Sequence, residues 1–120
     1  MSTNNIAELD AQLNAQILQG DILGAFDRFY AEDVVMQENS LPVFEGKAFN
    51  RKREEEFVAS IEQFHGAKIL SAAVSGDVSF SEWEMDVTFK GGFHVVLAQV
   101  AVRRWKDGLV ANERFYYSKG

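Results

Sequence analysis

The sequence predicts an α+β fold in which three N-terminal helices pack in the concave face of a strongly curved, mainly antiparallel sheet. Up to about Gly66, apolar residues recur every three or four positions; from Lys68 onward they recur every second position, among β-branched and aromatic residues. Short turn signals separate the later segments, which makes the strands sequential hairpins. Helices first and strands after, with short connections, fit a curved sheet wrapped over helices.

Composition limits what such a fold can be used for. A chain of 120 residues with 47% hydrophobic and 25% charged residues suits one compact domain over 1–120. Folding at this length buries roughly two thirds of the unfolded surface, enough for one core. The net charge of -6 and a pI near 4.8 oppose binding to nucleic acid and to anionic membranes. With no cysteine there is no disulfide framework, no thiolate nucleophile and no cysteine metal cluster. Residues 2–19 are polar with apolar positions only at helical spacing, unlike a signal peptide, and no run approaches a membrane span. These features point to a soluble, cytoplasmic protein.

The elements follow in order. Thr3 to Asn5 are capping types ahead of a first helix whose stripe is Ile6, Leu9, Leu13 and Ile17. Gly20 ends it, and Asp21 caps a second helix with Ile22, Leu23, Phe26, Phe29 and Tyr30 on one face, closed at Asp33. Val34-Val35-Met36 starts a short strand that finishes on Glu38. A loop with the only proline, Pro42, leads through Gly46 to a third helix, where Phe49, Phe57, Ile61 and Phe64 face one way and Gly66 is the stop. Between them, Arg51 to Glu56 has the spacing of i,i+4 ion pairs and reads as a solvated face.

A first strand near Lys68 to Ser75 opens the meander, and three longer strands follow. Ser75-Gly76-Asp77 and Gly91-Gly92 are turns, and Lys106-Asp107-Gly108 fits a three-residue hairpin with a left-handed glycine. The strand from Phe93 to Trp105 is apolar in the middle of both faces. Helices cover only one of them. The other, with Val96, Ala98, Val100 and Val102, is expected to bury itself in a homodimer through the sheet, or else under another segment of the same chain. Glu82, Glu84 and Asp86 alternate along one strand as a wet face. His65 reads as a helix-terminal residue and His94 as a strand start, so no zinc or other metal site is expected, and no cofactor.

Three phrases in this order carry a resemblance. "LQGDILGAFDRFYAEDVVM" at 18–36, "FEGKAF" at 44–49 and "VAVRRWKDGLVANERFYY" at 100–117 resemble the nuclear transport factor 2-like superfamily, in particular its SnoaL-like branch. The resemblance implies a cone-shaped α+β barrel of curved sheet and three helices enclosing a pocket, usually dimerised through the sheet. For function it is broad, since the superfamily holds ketosteroid isomerases, polyketide cyclases, dehydratases, an epoxide hydrolase and transport factors.

The resemblance also assigns residues. It sets Glu38 where the isomerases carry their aspartate base. Their oxyanion donors, a tyrosine on the first helix and an acid on the penultimate strand, correspond here to Leu13 and Ala101, which argues against isomerase activity on steroids. In the family register Gln99, Ala101 and Arg103 point inward, as do Glu113, Phe115 and Tyr117, with Glu113 diagonal to Arg103. A guanidinium among Trp105, Phe115 and Tyr117 then needs a carboxylate from Glu38 or Glu113. Such a pair could orient a ligand carbonyl or activate water, or it could simply fix the hairpin. A one-residue slip would turn Asn112, Arg114 and Tyr116 inward instead. Two functions are carried forward. One is a cofactor-independent acid-base enzyme of isomerase, cyclase, dehydratase or hydrolase type acting on a small apolar molecule, with Glu38, Arg103 and Glu113 as working groups and Tyr30, Gln99, Trp105, Phe115 and Tyr117 as walls. The other is a non-catalytic dimeric module that binds a small ligand or another protein.

Overall fold

A computed structural model of the chain describes residues 3–118, with side chains from Asn5 onward. The helices are α1 (Thr3–Leu18), α2 (Ile22–Phe29) and α3 (Lys47–Ser60). The strands are β1 (Tyr30–Glu38), β2 (Phe44–Glu45), β3 (Ile61–Ser75), β4 (Val78–Phe89), β5 (Phe93–Lys106) and β6 (Leu109–Tyr116). All six form one curved sheet in the order β2-β1-β6-β5-β4-β3; its ends do not pair, so the sheet is open rather than a closed barrel. Only β1 and β6 run parallel. Three irregularities in the β3 pairing mark where that long strand departs from regular register.

The first two helices form as their stripes require. Leu13, Ile6 and Phe26 bury into one cluster with Phe29, Val34 and Trp105. Gly20, at φ +89, stops α1, and the Asp21 carboxylate accepts from the Gly24 amide to cap α2. A Cβ at Gly24 would collide with that carboxylate, so any other residue there would force the Asp21 side chain to shift. Thr3, Asn4 and Asn5, expected as capping residues, all lie inside α1, and the side chains of Thr3 and Asn4 are outside the described ones.

Several boundaries differ from those the sequence predicts. Helix α2 ends at Phe29, not Asp33, because Tyr30 turns extended; its N–H closes the last turn on Phe26 O while its ring stacks on Phe26 at 4.6 Å. Helix α3 stops at Ser60. Ile61 and Phe64 belong to β3, where pairing with Phe89 and Val87 satisfies the backbone that a longer helix would have served internally. Gly66 therefore lies inside a strand, at a bulge with φ +143, and His65 is a strand residue rather than a helix end. The buried side of α3 is also rotated from the expected one. Phe49 is 53% exposed and stacks on Phe44, while Asn50 is fully buried and donates to the Phe44 and Gly46 carbonyls. Counting from Asn50, the inward face is Asn50, Arg53, Glu54 and Phe57.

The hairpin from β5 to β6 sets the site. Lys106 pairs with Leu109, leaving a two-residue loop in which Asp107 and Gly108 both have positive φ, the pattern of a type I′ turn rather than a three-residue one. In the resulting register Arg103 lies directly opposite Glu113, not diagonal to it, and the slipped alternative does not occur. The outer face of the sheet carries exposed Leu70, Phe80, Val96 and Tyr116, and no described segment of the chain covers it. No helix among the described residues is long and apolar enough to cross a membrane.

Candidate functional site

At the centre of the fold lies a charge that must be satisfied. Arg103 is 2% exposed, and each of its contacts is a short hydrogen bond. Its Nε donates to Glu113 Oε2 at 2.7 Å, and one terminal nitrogen donates to Asp10 Oδ1 at 2.8 Å and to Asn14 Oδ1 at 2.6 Å. The carboxylates are held in turn. Tyr30 donates its hydroxyl to Glu113 Oε2 at 2.6 Å, Ser79 donates to Asp10 Oδ1 at 2.8 Å, and the Trp105 indole N–H donates to Ser79 at 2.9 Å. Burial by itself would lower the Arg103 pKa. The neighbouring Tyr30, Glu113 and Asp10 outweigh it and raise the pKa, so the guanidinium stays charged. Burial, and then the Glu113 charge, push the Tyr30 phenol well above its usual range, so it remains a donor. Glu113 Oε1 is buried and has no hydrogen-bond partner among the described residues.

This network forms one wall of a cavity of about 180 Å³. Most of the lining is apolar, with Phe26, Met36, Phe57, Trp83, Met85 and Phe115 contributing; the polar groups are Tyr30, Gln37, Glu38, Arg53, Glu54, Gln99, Arg103 and Glu113. Glu38, at the end of β1, has both oxygens engaged: Arg53 donates at 2.6 Å and Tyr117 OH at 2.6 Å. Arg53 is itself held by Asn50 Oδ1 and lies over the Phe44 ring, 3.7 Å from its centre. The hydrogen bond to Glu38, then partial burial, raise the Tyr117 pKa. Glu54 differs from Glu38. It has no ion-pair partner within contact distance among the described residues, and burial, followed by the charges of Glu113 and Glu38, pushes its pKa up to about 7 against the pull of Arg53 and Arg51.

A family model described as SnoaL-like domain matches residues 1–117. The chain belongs to the SnoaL-like domain family. Among solved structures, a candidate SnoaL-like polyketide cyclase from Mesorhizobium loti is 29% identical, with 98% of this chain and 100% of that one covered and a TM-score of 0.82. An NTF2-like protein of unknown function from Burkholderia pseudomallei is 16% identical over 98% and 92%, with a TM-score of 0.81. A protein of ketosteroid isomerase-like fold from Catenulispora acidiphila, in complex with trimethylamine, is 18% identical over 91% and 85%, with a TM-score of 0.75. The last two show the fold alone. No curated protein matches the chain.

On this SnoaL-like scaffold the residues singled out from sequence separate into two groups. Glu38, Arg103, Glu113, Tyr30, Gln99 and Phe115 line the cavity. Trp105 does not; it is core, 4% exposed, and its N–H serves Ser79. Tyr117 stands behind Glu38 as its donor and is not part of the lining either. Leu13 and Ala101 are buried and offer no donor. Sequence reasoning missed Asp10, Asn14, Arg53, Glu54 and Trp83. A signal existed for four of them. Asp10 and Asn14 sit at i+4 from Ile6 and i−3 from Ile17 on the apolar stripe of α1, and Arg53 and Glu54 precede Phe57 by one turn.

Two stability measurements test the electrostatics. Replacing Arg103 by Met leaves Asp10 and Glu113 facing each other without a cation, and urea unfolding at neutral pH should lose about 3 to 5 kcal/mol; a loss below about 1 kcal/mol would refute the network's role. For Glu54 the folded pKa of about 7 lies above the ordinary value of 4.5, so the native state holds the proton more tightly. The stabilisation this gives is full below about pH 4.5 and is lost as pH rises to about 7. Glu54→Gln should therefore be more stable than the parent above that window and lack this loss, by on the order of 1 to 2 kcal/mol given its partial exposure to water. Parallel pH profiles for the two proteins would contradict the shift.

Proposed function

We propose that this SnoaL-like chain is a cofactor-independent acid-base enzyme acting on a small, largely apolar molecule, with Glu54 as the proton-transferring group. The observation that carries the reading is the convergence of three carboxyl groups on one mostly apolar cavity, two of them tied to arginines and the third, Glu54, not. Glu113 Oε2 is taken up by Arg103 and Tyr30, and both oxygens of Glu38 by Arg53 and Tyr117, so none of these three oxygens is open to a bound molecule. Glu54 is matched to neutral pH and is free to take or give a proton. The open acceptor Glu113 Oε1 suits a hydroxyl or N–H of the bound molecule, and Arg103 holds that carboxylate in place. A cytoplasmic setting forms part of this reading. A thermal-shift screen with steroids, phenols of polyketide type and lactones would find the ligand class, and turnover would then be followed on the hits. Glu54→Gln should lower kcat by roughly 10²- to 10⁴-fold while leaving ligand binding within a few fold. Unchanged turnover would remove Glu54 as the base, and tight binding without any turnover would favour the non-catalytic binding module.

We infer in addition that the exposed outer face of the sheet is covered by a second copy of the chain. Phe80, Val100, Val102 and Tyr116 lie together there, with Phe80 opposite Val102 and Val100 opposite Tyr116. An apolar patch of this kind is costly in water. Sedimentation of the 13.5 kDa chain at micromolar concentration should give twice that mass, and Val102→Glu should return it to the monomer. A monomeric parent protein would end the proposal.

A further inference from the structure

The outer face holds a second cluster that the cavity does not use. The chain has two histidines and no cysteine, and the fold brings both histidines together. The ring centres of His65 and His94 are 5.2 Å apart, edge to face. His94 Nε2 lies 2.6 Å from Asp86 Oδ1, and His65 Nε2 lies 2.8 Å from Thr88 Oγ1. The three groups come from three adjacent strands, β3, β4 and β5.

The backbone explains how they meet. Phe64 pairs with Val87 and Gly66 with Asp86, so His65 is the extra residue of a bulge, made possible by Gly66 at φ +143. The bulge re-aims His65 over β4 toward Asp86 and Thr88. On the other side Thr88 pairs directly with His94, whose ring leans back to Asp86.

We propose that His65, Asp86 and His94 form a three-ligand site for a divalent transition-metal ion of the zinc and cobalt type. Two imidazoles and one carboxylate are the donors such ions select; calcium and magnesium select oxygen. One donor atom from each residue already lies within 4.8 Å of the others. Donors around a single zinc ion stand roughly 3.4 Å apart, given bonds of about 2.1 Å in a tetrahedron. The remaining closure falls to exposed side chains, since the His94 and Asp86 side chains are 60% and 45% exposed. The hydrogen bond between His94 and Asp86 is a proton shared by two lone pairs, and a dication takes that proton's place. His65 gives up Thr88 to supply the third ligand, and water completes the open side. The site lies on the opposite face of the sheet from the cavity and does not depend on the acid-base reading.

The test uses the full, tag-free chain. Cobalt titration followed by visible absorption should saturate at one ion per chain, and zinc should displace it. Because there are only two imidazoles, proton NMR can follow both, and zinc should shift the two sets of ring signals along one saturation curve. His65→Ala, His94→Ala and Asp86→Asn should each weaken binding by about tenfold or more, with far-ultraviolet circular dichroism unchanged. Binding that does not saturate, movement of one ring alone or of neither, half an ion per chain, or affinity that survives His65→Ala would each overturn the proposal.

Discussion

The rest of the molecule is arranged around one buried cation. Arg103 sits near the C-terminal end of β5 with almost no contact with water, and an unpaired guanidinium there would be strongly destabilising. Its partners come from the two ends of the chain: Asp10 and Asn14 from α1, and Glu113 from β6. The same hydrogen bonds that satisfy the charge therefore fix α1 against the sheet and lock the register of the last hairpin. Tyr30 extends this constraint to the junction of α2 and β1, because its hydroxyl must reach Glu113. That requirement accounts for a helix ending at Phe29, where the apolar pattern alone would let it run on.

The architecture was legible in the sequence because periodicity changes once, near the middle of the chain, and tertiary packing respects that change. The meander, the Asp21 cap and the inward set Gln99, Ala101, Arg103, Glu113 and Phe115 all follow from side chains alternating on strands or recurring on helices. What was not legible depends on partners distant in sequence. Ile61 and Phe64 fit a helical stripe as well as a strand, and pairing with β4 decides between the two. Phe49 resembles a core residue and is exposed, because the polar Asn50 takes the buried position in order to satisfy two carbonyls. Charged residues on an inward helix face escape any reading that equates charge with solvent, and this is how Glu54 and Asp10 were overlooked. The parallel pairing of β1 with β6 has no local signal at all.

Glu38 and Glu54 line the same cavity with different surroundings. Both oxygens of Glu38 are engaged, one by Arg53 and one by the Tyr117 hydroxyl, each at 2.6 Å. Glu54, one helical turn before Phe57 and in a stretch that reads as surface, has no such support and feels the negative charge of both neighbours. Arg53 links the two. It donates directly to Glu38 at 2.6 Å and acts on Glu54 only through its charge.

The donors around the cavity limit the reaction that Glu54 could serve. An enolate formed beside a carbonyl needs hydrogen-bond donors at its oxygen, and their loss costs several kcal/mol. Here Leu13 and Ala101 supply none, and the hydroxyl of Tyr30 is already given to Glu113. Of the remaining wall groups, Arg53 is engaged by Glu38, Gln37 donates to the Leu41 carbonyl, and Gln99 has a neutral amide to offer. On the proposal that Glu54 is the base, the substrate that suits this wall is one that spreads the developing charge over its own conjugated system, as a phenol does, so that a single well-placed base is sufficient.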